Sequence, residues 1–428
     1  MIRVKSNMMN FTDLGLKPEL LRAIEALGFK TPMPIQSQMI PQLLEGNHDC
    51  LALASTGSGK TAAFGLPMLN KITSKSRFPQ YLILSPTREL CMQISADLRT
   101  YAKFMSNVRI LSVYGGANIR FQMLELNRGV SILVATPGRL LDLMDRGAAD
   151  LSAVRGVVLD EADEMLQMGF QEDLEKIMGD VPETATTWMF SATMEKRVAI
   201  CAHRLLKNPI EINVVDNQPA PDIKHVCVTF NEPTERGSAL RKLVDDTPEF
   251  FGLVFRRTRS NVRRTAKQFA DAGYSVGALH GDLTQQQRDR VMRSFRNHEI
   301  QILFATDVAA RGLDVNDVTH IVHFDISEDA ETYTHRSGRT ARAGKSGISM
   351  VFAAPEDHDK IARFERTLKM KFEFDGIPPE ACLSRGRSTG SRGREKSGRG
   401  GQRNWSGPSR IKRKYGKAGA TSRKRSSL

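Results

Sequence analysis

Cysteine is scarce in this chain. The five residues (Cys50, Cys91, Cys201, Cys227, Cys382) show no C-x-x-C spacing among 428 positions. An odd, scattered set argues against a disulfide framework and fits reduced thiols in a cytoplasm. No run approaches the roughly 18 apolar residues of a membrane helix, so no membrane span is expected. The N-terminal MIRVKSNMMNF lacks the apolar stretch of a signal peptide, and no short-period repeat is present. Acidic residues are nearly missing from the other end. Residues 384–428 hold ten Arg, five Lys and one acid, Glu395, which accounts for the whole formal charge of +14. The remaining chain balances 47 basic against 47 acidic side chains.

That closing segment, SGRGGQRNWSGPSRIKRKYGKAGATSRKRSSL, is also nearly free of aliphatic residues. It cannot bury enough apolar surface to offset its chain entropy, so a disordered tail is expected. Such a tail either solubilises the chain or contacts a polyanion, with Trp405 and Tyr415 available to stack on bases. Composition alone does not separate RNA from DNA or membrane lipid. Elsewhere, a 40% hydrophobic content supports a packed core.

Short apolar runs alternate with helix-like stretches. Residues 49–55, 81–87, 109–115, 131–137, 156–163 and 187–193 read as buried strands that end in polar residues. Continuous apolar strands of this kind belong to parallel sheets covered on both faces. The pattern breaks at NVVDNQPAPDI (213–223), then resumes at 225–230, 250–255, 274–281, 300–307, 320–326 and 347–354. Two doubly wound α/β domains in tandem are therefore expected, 1–213 and 223–372, joined by a linker at 214–222. A bridge, 373–383, then leads to the tail at 384–428. IARFERTLKMKFEF reads as a helix closing the second domain, followed by a short alternation. His320 and His323 lie three apart on a strand, hence on opposite faces, and zinc is not expected there.

The first chemical signal is ASTGSGKT, Ala54, Ser55, Thr56, Gly57, Ser58, Gly59, Lys60 and Thr61, between a strand and a helix. Glycines allow close backbone approach, and N–H groups at a helix N-terminus bind phosphate oxygens. In this loop Lys60 suits the β- and γ-phosphates of a nucleotide, and Thr61 suits Mg2+. Ala54 stands where the strict pattern has Gly. About 100 residues on, LDEAD places Asp160 and Glu161 at a strand end. Adjacent acids there can simply start a helix. The phosphate loop favours chemistry instead: Asp160 for the metal, through water, and Glu161 to polarise an attacking water.

Taken together, Phe11 and GFKTPMPIQ (28–36), the phosphate loop, PTREL (86–90), Gly115-Gly116, TPGR (136–139), LDEAD, SAT (191–193), FRRTRS (255–260), HGDLTQQQR (280–288), ATDVAARGLD (305–314) and YTHRSGRTARAG (333–344) resemble the DEAD-box ATP-dependent RNA helicases of superfamily 2. The likeness runs from Phe11 to about Phe372. It implies two RecA-like domains and a cytoplasmic, monomeric, RNA-dependent ATPase using ATP and Mg2+. Gln36 would read adenine, and Phe11 would pack on its ring, although Met33 stands where the family usually has Thr. Further departures are Ser55 for Gln, Ala341 for Gly and Ser327 for Pro.

The resemblance further assigns RNA contacts to Pro86, Thr87, Arg88, Gly115, Gly116, Thr136, Pro137, Gly138 and Arg139 of the first domain. In the second domain it assigns them to Thr258, Gly281, Gln285, Arg288, Thr306 and Arg311. Gly312 and Asp314 would contact nucleotide, and Arg339 and Arg342 would act as arginine fingers. Asp163, Ser191, Thr193, His335 and Arg336 would couple the ATP site to RNA or to the domain interface. The implied substrate is structured or duplex RNA with weak sequence preference, and ribonucleoprotein particles would be reached through the tail. Ribosome assembly and RNA turnover are the implied settings, and the short loops without an N-terminal extension suggest a bacterial member. An RNA clamp with incidental hydrolysis and a DNA translocase stand as alternatives.

Overall fold

The fourteen strands of the described residues divide into two parallel sheets with one and the same order. In the first lobe β1 is Cys50–Leu53, β2 Tyr81–Leu84, β3 Ile110–Val113, β4 Ile132–Ala135, β5 Gly156–Leu159, β6 Thr186–Ser191 and β7 Ile210–Asn213. In the second, β8 is Ile223–Thr229, β9 Gly252–Phe255, β10 Val276–Leu279, β11 Ile302–Ala305, β12 His320–His323, β13 Gly347–Ala353 and β14 Glu373–Asp375. The first sheet runs β3-β4-β2-β5-β6-β1-β7 and the second β10-β11-β9-β12-β13-β8-β14. Numbering each lobe from one gives 3-4-2-5-6-1-7 twice. The chain is therefore an internal repeat at the level of topology, although no short sequence repeat announces it. The computed structural model describes residues 10–55, 57–73, 77–214, 222–230, 232–310, 315, 317–341 and 345–375.

The central strands explain why the sequence reads as unbroken apolar runs. In β4, Ile132 and Val134 enter one core while Leu133 and Ala135 enter the core on the opposite face. In β11, Ile302 and Phe304 are divided from Leu303 and Ala305 in the same way. A strand covered on both faces has no polar side to show. The edge strands depart from the expected pattern. Three of the four residues of β3 are only partly buried, as are two of the four in β10, because an edge strand lacks a neighbour on one side.

Two strands lie outside the apolar runs, the second at the end of the KMKFEF alternation. Ile210–Asn213 completes the first sheet beside β1. Glu373–Asp375, at the start of the expected bridge, pairs with β8 and sets Phe374 opposite Cys227. The second sheet thus takes in residues 373–375. Val214 is fully buried and donates its N–H to the Leu53 carbonyl at 3.0 Å, and β8 begins at Ile223.

Parallel strands all end on the same edge of their sheet. From the phosphate loop onward, the chemical motifs of the first lobe follow the carboxyl ends of strands β1 through β6, and the second lobe repeats this after β9, β10 and β11. His320 stacks on Phe250, at a ring separation of 4.8 Å. His323 is fully buried on the other face, within 3.3 Å of the Ser337 and Ser349 hydroxyls. Among the described residues no cluster of His, Cys, Asp or Glu is arranged to hold a metal ion, and no helix is long and apolar enough to cross a membrane.

Candidate active site

The phosphate loop leaves β1 at Ala54 and enters the helix Lys60–Lys71 through two left-handed glycines, Gly57 (φ 83°) and Gly59 (φ 85°). Gly59 caps that helix and has no room for a side chain. A Cβ there would lie 2.4 Å from Gln36 Nε2 and 2.8 Å from Met33 Sδ. Gln36 is buried and donates to the Gly59 carbonyl at 3.2 Å while accepting from the Met33 N–H at 2.9 Å. The expected adenine reader is thus fastened to the phosphate loop itself. Phe11 lies in the core, its ring 6.2 Å from that of Phe29. Lys60 is buried, and its Nζ donates to the Ala54 carbonyl at 3.1 Å. Ser58 Oγ donates to the Ser55 carbonyl at 2.7 Å.

At the end of β5, Asp160 is buried beside Lys60. Burial pushes its carboxyl upward, opposed by the Lys60 charge and reinforced by Glu161. Its Oδ1 accepts the Glu161 N–H at 3.1 Å. Glu161 holds a left-handed backbone (φ 52°) at the start of the helix Ala162–Gln167, a conformation costly for a residue with a side chain and concentrated at functional sites. Next, Asp163 ties β5 to β6. Its Oδ2 accepts from Ala192 N at 3.0 Å, Thr193 N at 3.1 Å and Thr193 Oγ1 at 3.2 Å. Of the two SAT hydroxyls only that of Thr193 takes part, since Ser191 Oγ donates to the Thr193 carbonyl at 2.7 Å.

The remaining first-lobe motifs stand along the same edge. Thr87 accepts from Leu90 N at 3.3 Å and caps the helix Arg88–Tyr101 behind Pro86. Arg88 lies 5.1 Å over the Tyr114 ring, and a Cβ on Gly116 (φ 81°) would come within 2.7 Å of its Nη1. Gly115 faces open space, and the Gly138 position has no heavy atom nearer than 3.9 Å. Thr136 precedes Pro137 at the start of the helix Pro137–Asp145. Arg139 Nη1 donates to the Ala117 carbonyl at 3.1 Å and to Gln122 Oε1 at 2.6 Å.

In the second lobe Thr258 caps the helix Arg259–Asp271 through Asn261 N at 3.1 Å, and a Cβ on Gly281 would lie 3.7 Å from Arg259 Cδ. Gln285 Nε2 donates to Asp289 Oδ1 at 2.5 Å, and Thr306 is buried. Thr56, Arg311, Gly312, Asp314, Arg342 and the tail lie outside the described residues.

The lobes meet through residues that sequence reasoning did not pair. His335 Nδ1 lies 2.8 Å from Glu164 Oε1. Gln167 Nε2 donates to Glu331 Oε1. Arg288 Nε lies 2.5 Å from Glu89 Oε1, with side-chain exposures of 15% and 8%. The approach is off the N–H line, so this is an ion pair rather than a hydrogen bond, and neither atom has a hydrogen-bond partner among the described residues. Arg339 lines the same cleft as Glu164, Gln167 and His335. Arg336 also lines that cleft, but its guanidinium is committed within its own lobe. It donates to Asp307 Oδ1 at 2.5 Å and Oδ2 at 2.7 Å, and to the Asp325 carbonyl at 2.9 Å.

Residues 33–200 match the DEAD/DEAH box helicase family model and 235–344 the helicase conserved C-terminal domain. The chain is 43% identical over 367 residues to the DEAD-box ATP-dependent RNA helicase CshA of Bacillus cereus, covering 86% of this chain and 69% of that protein. Dbp5 of S. cerevisiae bound to RNA and ADP BeF3 superposes with a TM-score of 0.79 at 28% identity, over 88% of this chain and 97% of that one. A point variant of that yeast protein bound to Gle1 and IP6 gives 0.70 at 28% identity, over 89% and 98%. Of these two states of one protein, the RNA- and nucleotide-bound arrangement is the nearer. The chain belongs to the DEAD-box ATP-dependent RNA helicases.

Proposed function

We propose that ATP binds at the carboxyl ends of β1 and β5, and that lobe closure over it distorts an RNA strand lying across both lobes. The carrying observation is the 2.8 Å contact between His335 and Glu164. It brings the Arg339-bearing segment of the second lobe to the strand end that presents Asp160 and Glu161. The first-lobe residues fit the nucleotide. The loop excludes a Cβ at Gly59, Lys60 has a carbonyl as its acceptor, and burial, reinforced by Glu161 and opposed by Lys60, shifts the Asp160 carboxyl upward. Thr61 and Asp160 are the residues that would hold Mg2+, which neutralises phosphate charge when bound.

On this reading Lys60 orients the β- and γ-phosphates, and Gln36 reads the base. Glu161 takes the proton of the attacking water, and Arg339 and Arg342 stabilise charge on the phosphoryl group. RNA and ATP both favour the closed state, so each strengthens binding of the other. Phosphate contacts carry no sequence information, which gives weak sequence preference. The tail is a tether to structured RNA or ribonucleoprotein, with ribosome assembly or RNA turnover as its setting.

The test is phosphate release with and without RNA, in the full chain and in one ended before Ser384. RNA stimulation in both forms is expected, with weaker and less salt-dependent RNA binding in the shorter one. Loss of strand separation on truncation, with ATP hydrolysis unlinked to it, would favour an RNA clamp. Equal stimulation by DNA would favour a translocase.

Closure should depend on pH. Burial raises the Glu331 carboxyl, hydrogen-bonded, like-charged Glu195 raises it further, and His335 opposes, leaving it at about 7. Burial alone would lower His335, but Glu164 outweighs it and the net shift is upward. Both groups hold their proton more tightly with the lobes together than in water. Closure therefore strengthens as pH falls, for Glu331 from about 7 down to its ordinary value of 4.5, and is lost again as pH rises through 7. Interlobe energy transfer between pH 5 and 8 should show this slope, and Glu195→Gln should flatten it. An unchanged slope in that variant refutes the assignment to the carboxyl pair.

A further inference from the structure

The helix Ile119–Asn127 is only partly buried, with Phe121 at 58% and Leu124 at 49% relative exposure. One of its two buried residues is an amide, Gln122, at 3% exposure. Burying an amide is unfavourable unless both its ends are paired, and both ends of this one are. Its Oε1 accepts from Arg139 Nη1 at 2.6 Å, and its Nε2 donates to the Tyr114 carbonyl at 3.4 Å. Those two partners belong to separate parts of the candidate RNA track. Arg139 ends the TPGR segment. Tyr114 precedes Gly115-Gly116, and its ring lies 5.1 Å beneath the Arg88 guanidinium of PTREL. One side chain outside every motif therefore touches the TPGR segment, holds the residue that leads into Gly115-Gly116, and approaches PTREL through the Tyr114 ring.

We infer that Gln122 is a positioning residue that fixes Arg139 and the Tyr114–Gly116 turn in one geometry for grasping the sugar–phosphate backbone of bound RNA. This rests on the reading of Arg139 as an RNA contact. The role requires an amide specifically. A carboxylate in its place keeps an acceptor for Arg139 but loses the donor to Tyr114. It also places a full negative charge against the guanidinium meant for phosphate. A thioether of similar length loses both ends.

The experiment measures ATP turnover against concentration of a single-stranded oligouridylate, using Gln122→Met, Gln122→Glu, Arg139→Ala and the Gln122→Met/Arg139→Ala double variant. Gln122→Met should raise the RNA concentration for half-stimulation by roughly tenfold, the scale of one hydrogen bond to a charged group. Turnover at saturating RNA should stay within about twofold, a split that general loosening of the lobe would not give. Gln122→Glu should be at least as weak in RNA binding, since it retains the shape but adds a negative charge and loses the donor. In the Arg139→Ala background Gln122→Met should add little, because the side chain it positions is gone.

Equal effects of Gln122→Met in both backgrounds, or an unchanged half-stimulating concentration, overturn the inference. An Arg139→Ala variant that binds RNA normally sinks the underlying RNA-contact reading instead, and the inference with it. Thermal unfolding of each variant separates misfolding from mispositioning, and Gln122→Glu serves if Gln122→Met is destabilised.

Discussion

Changing Glu161 to glutamine lowers RNA-stimulated turnover by about 10²–10⁴-fold, the range for loss of a positioned general base, while ATP and RNA still bind. The substitution is chosen for its shape. Glu161 occupies a left-handed backbone conformation (φ 52°) at a helix start and is 9% exposed. Glutamine keeps the side-chain volume and leaves the Asp160 contact to the backbone N–H intact, so the local fold need not change. It removes the proton acceptor and one of the two adjacent negative charges. With less repulsion, a nucleotide analogue should bind as well or better. Because hydrolysis is what reopens the lobes in this scheme, the closed, RNA-bound complex should accumulate. Single-turnover phosphate release and equilibrium binding of a fluorescent analogue separate the two effects. Turnover within tenfold of the parent chain would exclude Glu161 as the group that activates water, and another acid near β5 would then be needed.

Most of this arrangement is legible in the sequence because parallel sheets impose it. Unbroken apolar runs mark strands buried on both faces, and the polar residues that end them must lie on one edge. What the sequence hides falls into two physical kinds. Short edge strands, Ile210–Asn213 and Glu373–Asp375, carry no unbroken apolar run, since two residues of each are exposed. Partnerships across the cleft are hidden for another reason. Glu89 and Arg288, or Gln167 and Glu331, are ordinary polar residues on helices far apart in the chain, and nothing local records that folding joins them. The same holds for Gln122, whose position inside a partly exposed helix looks solvated until Arg139 is placed beside it. Within a motif, the internal wiring is visible only in the folded chain. Thr193 rather than Ser191 bonds Asp163, and Arg336 braces its own lobe while His335 crosses to the other. Thr87 and Thr258 each cap a helix, a use that leaves the exact orientation of their segments fixed by local hydrogen bonds.

Charge reversal at the Glu89–Arg288 pair should disconnect RNA binding from ATP binding, and exchanging the two charges should reconnect them. With the lobes apart, both side chains reach solvent. With the lobes together, they are 8% and 15% exposed and 2.5 Å apart. Arg288→Glu makes closure bury two carboxylates against each other, and Glu89→Arg makes it bury two guanidinium groups. A buried charge without its partner costs about 3–5 kcal/mol. Residual exposure of Arg288 puts the expected penalty at the lower end, about two decades in the closed-to-open ratio. Both lobes still fold and keep their other contacts to ATP and RNA, so the loss appears in the coupling: the factor by which RNA tightens binding of an ATP analogue should collapse toward unity. The Glu89→Arg/Arg288→Glu double variant restores opposite charges and should recover much of that factor. Recovery stays incomplete because Arg288 Nη2 also donates to the Ala309 carbonyl at 2.6 Å, and a glutamate at 288 cannot. Single variants that keep full coupling would mean that closure does not form this pair. A double variant no better than either single would mean that the two residues act separately, Arg288 on RNA and Glu89 on its own helix.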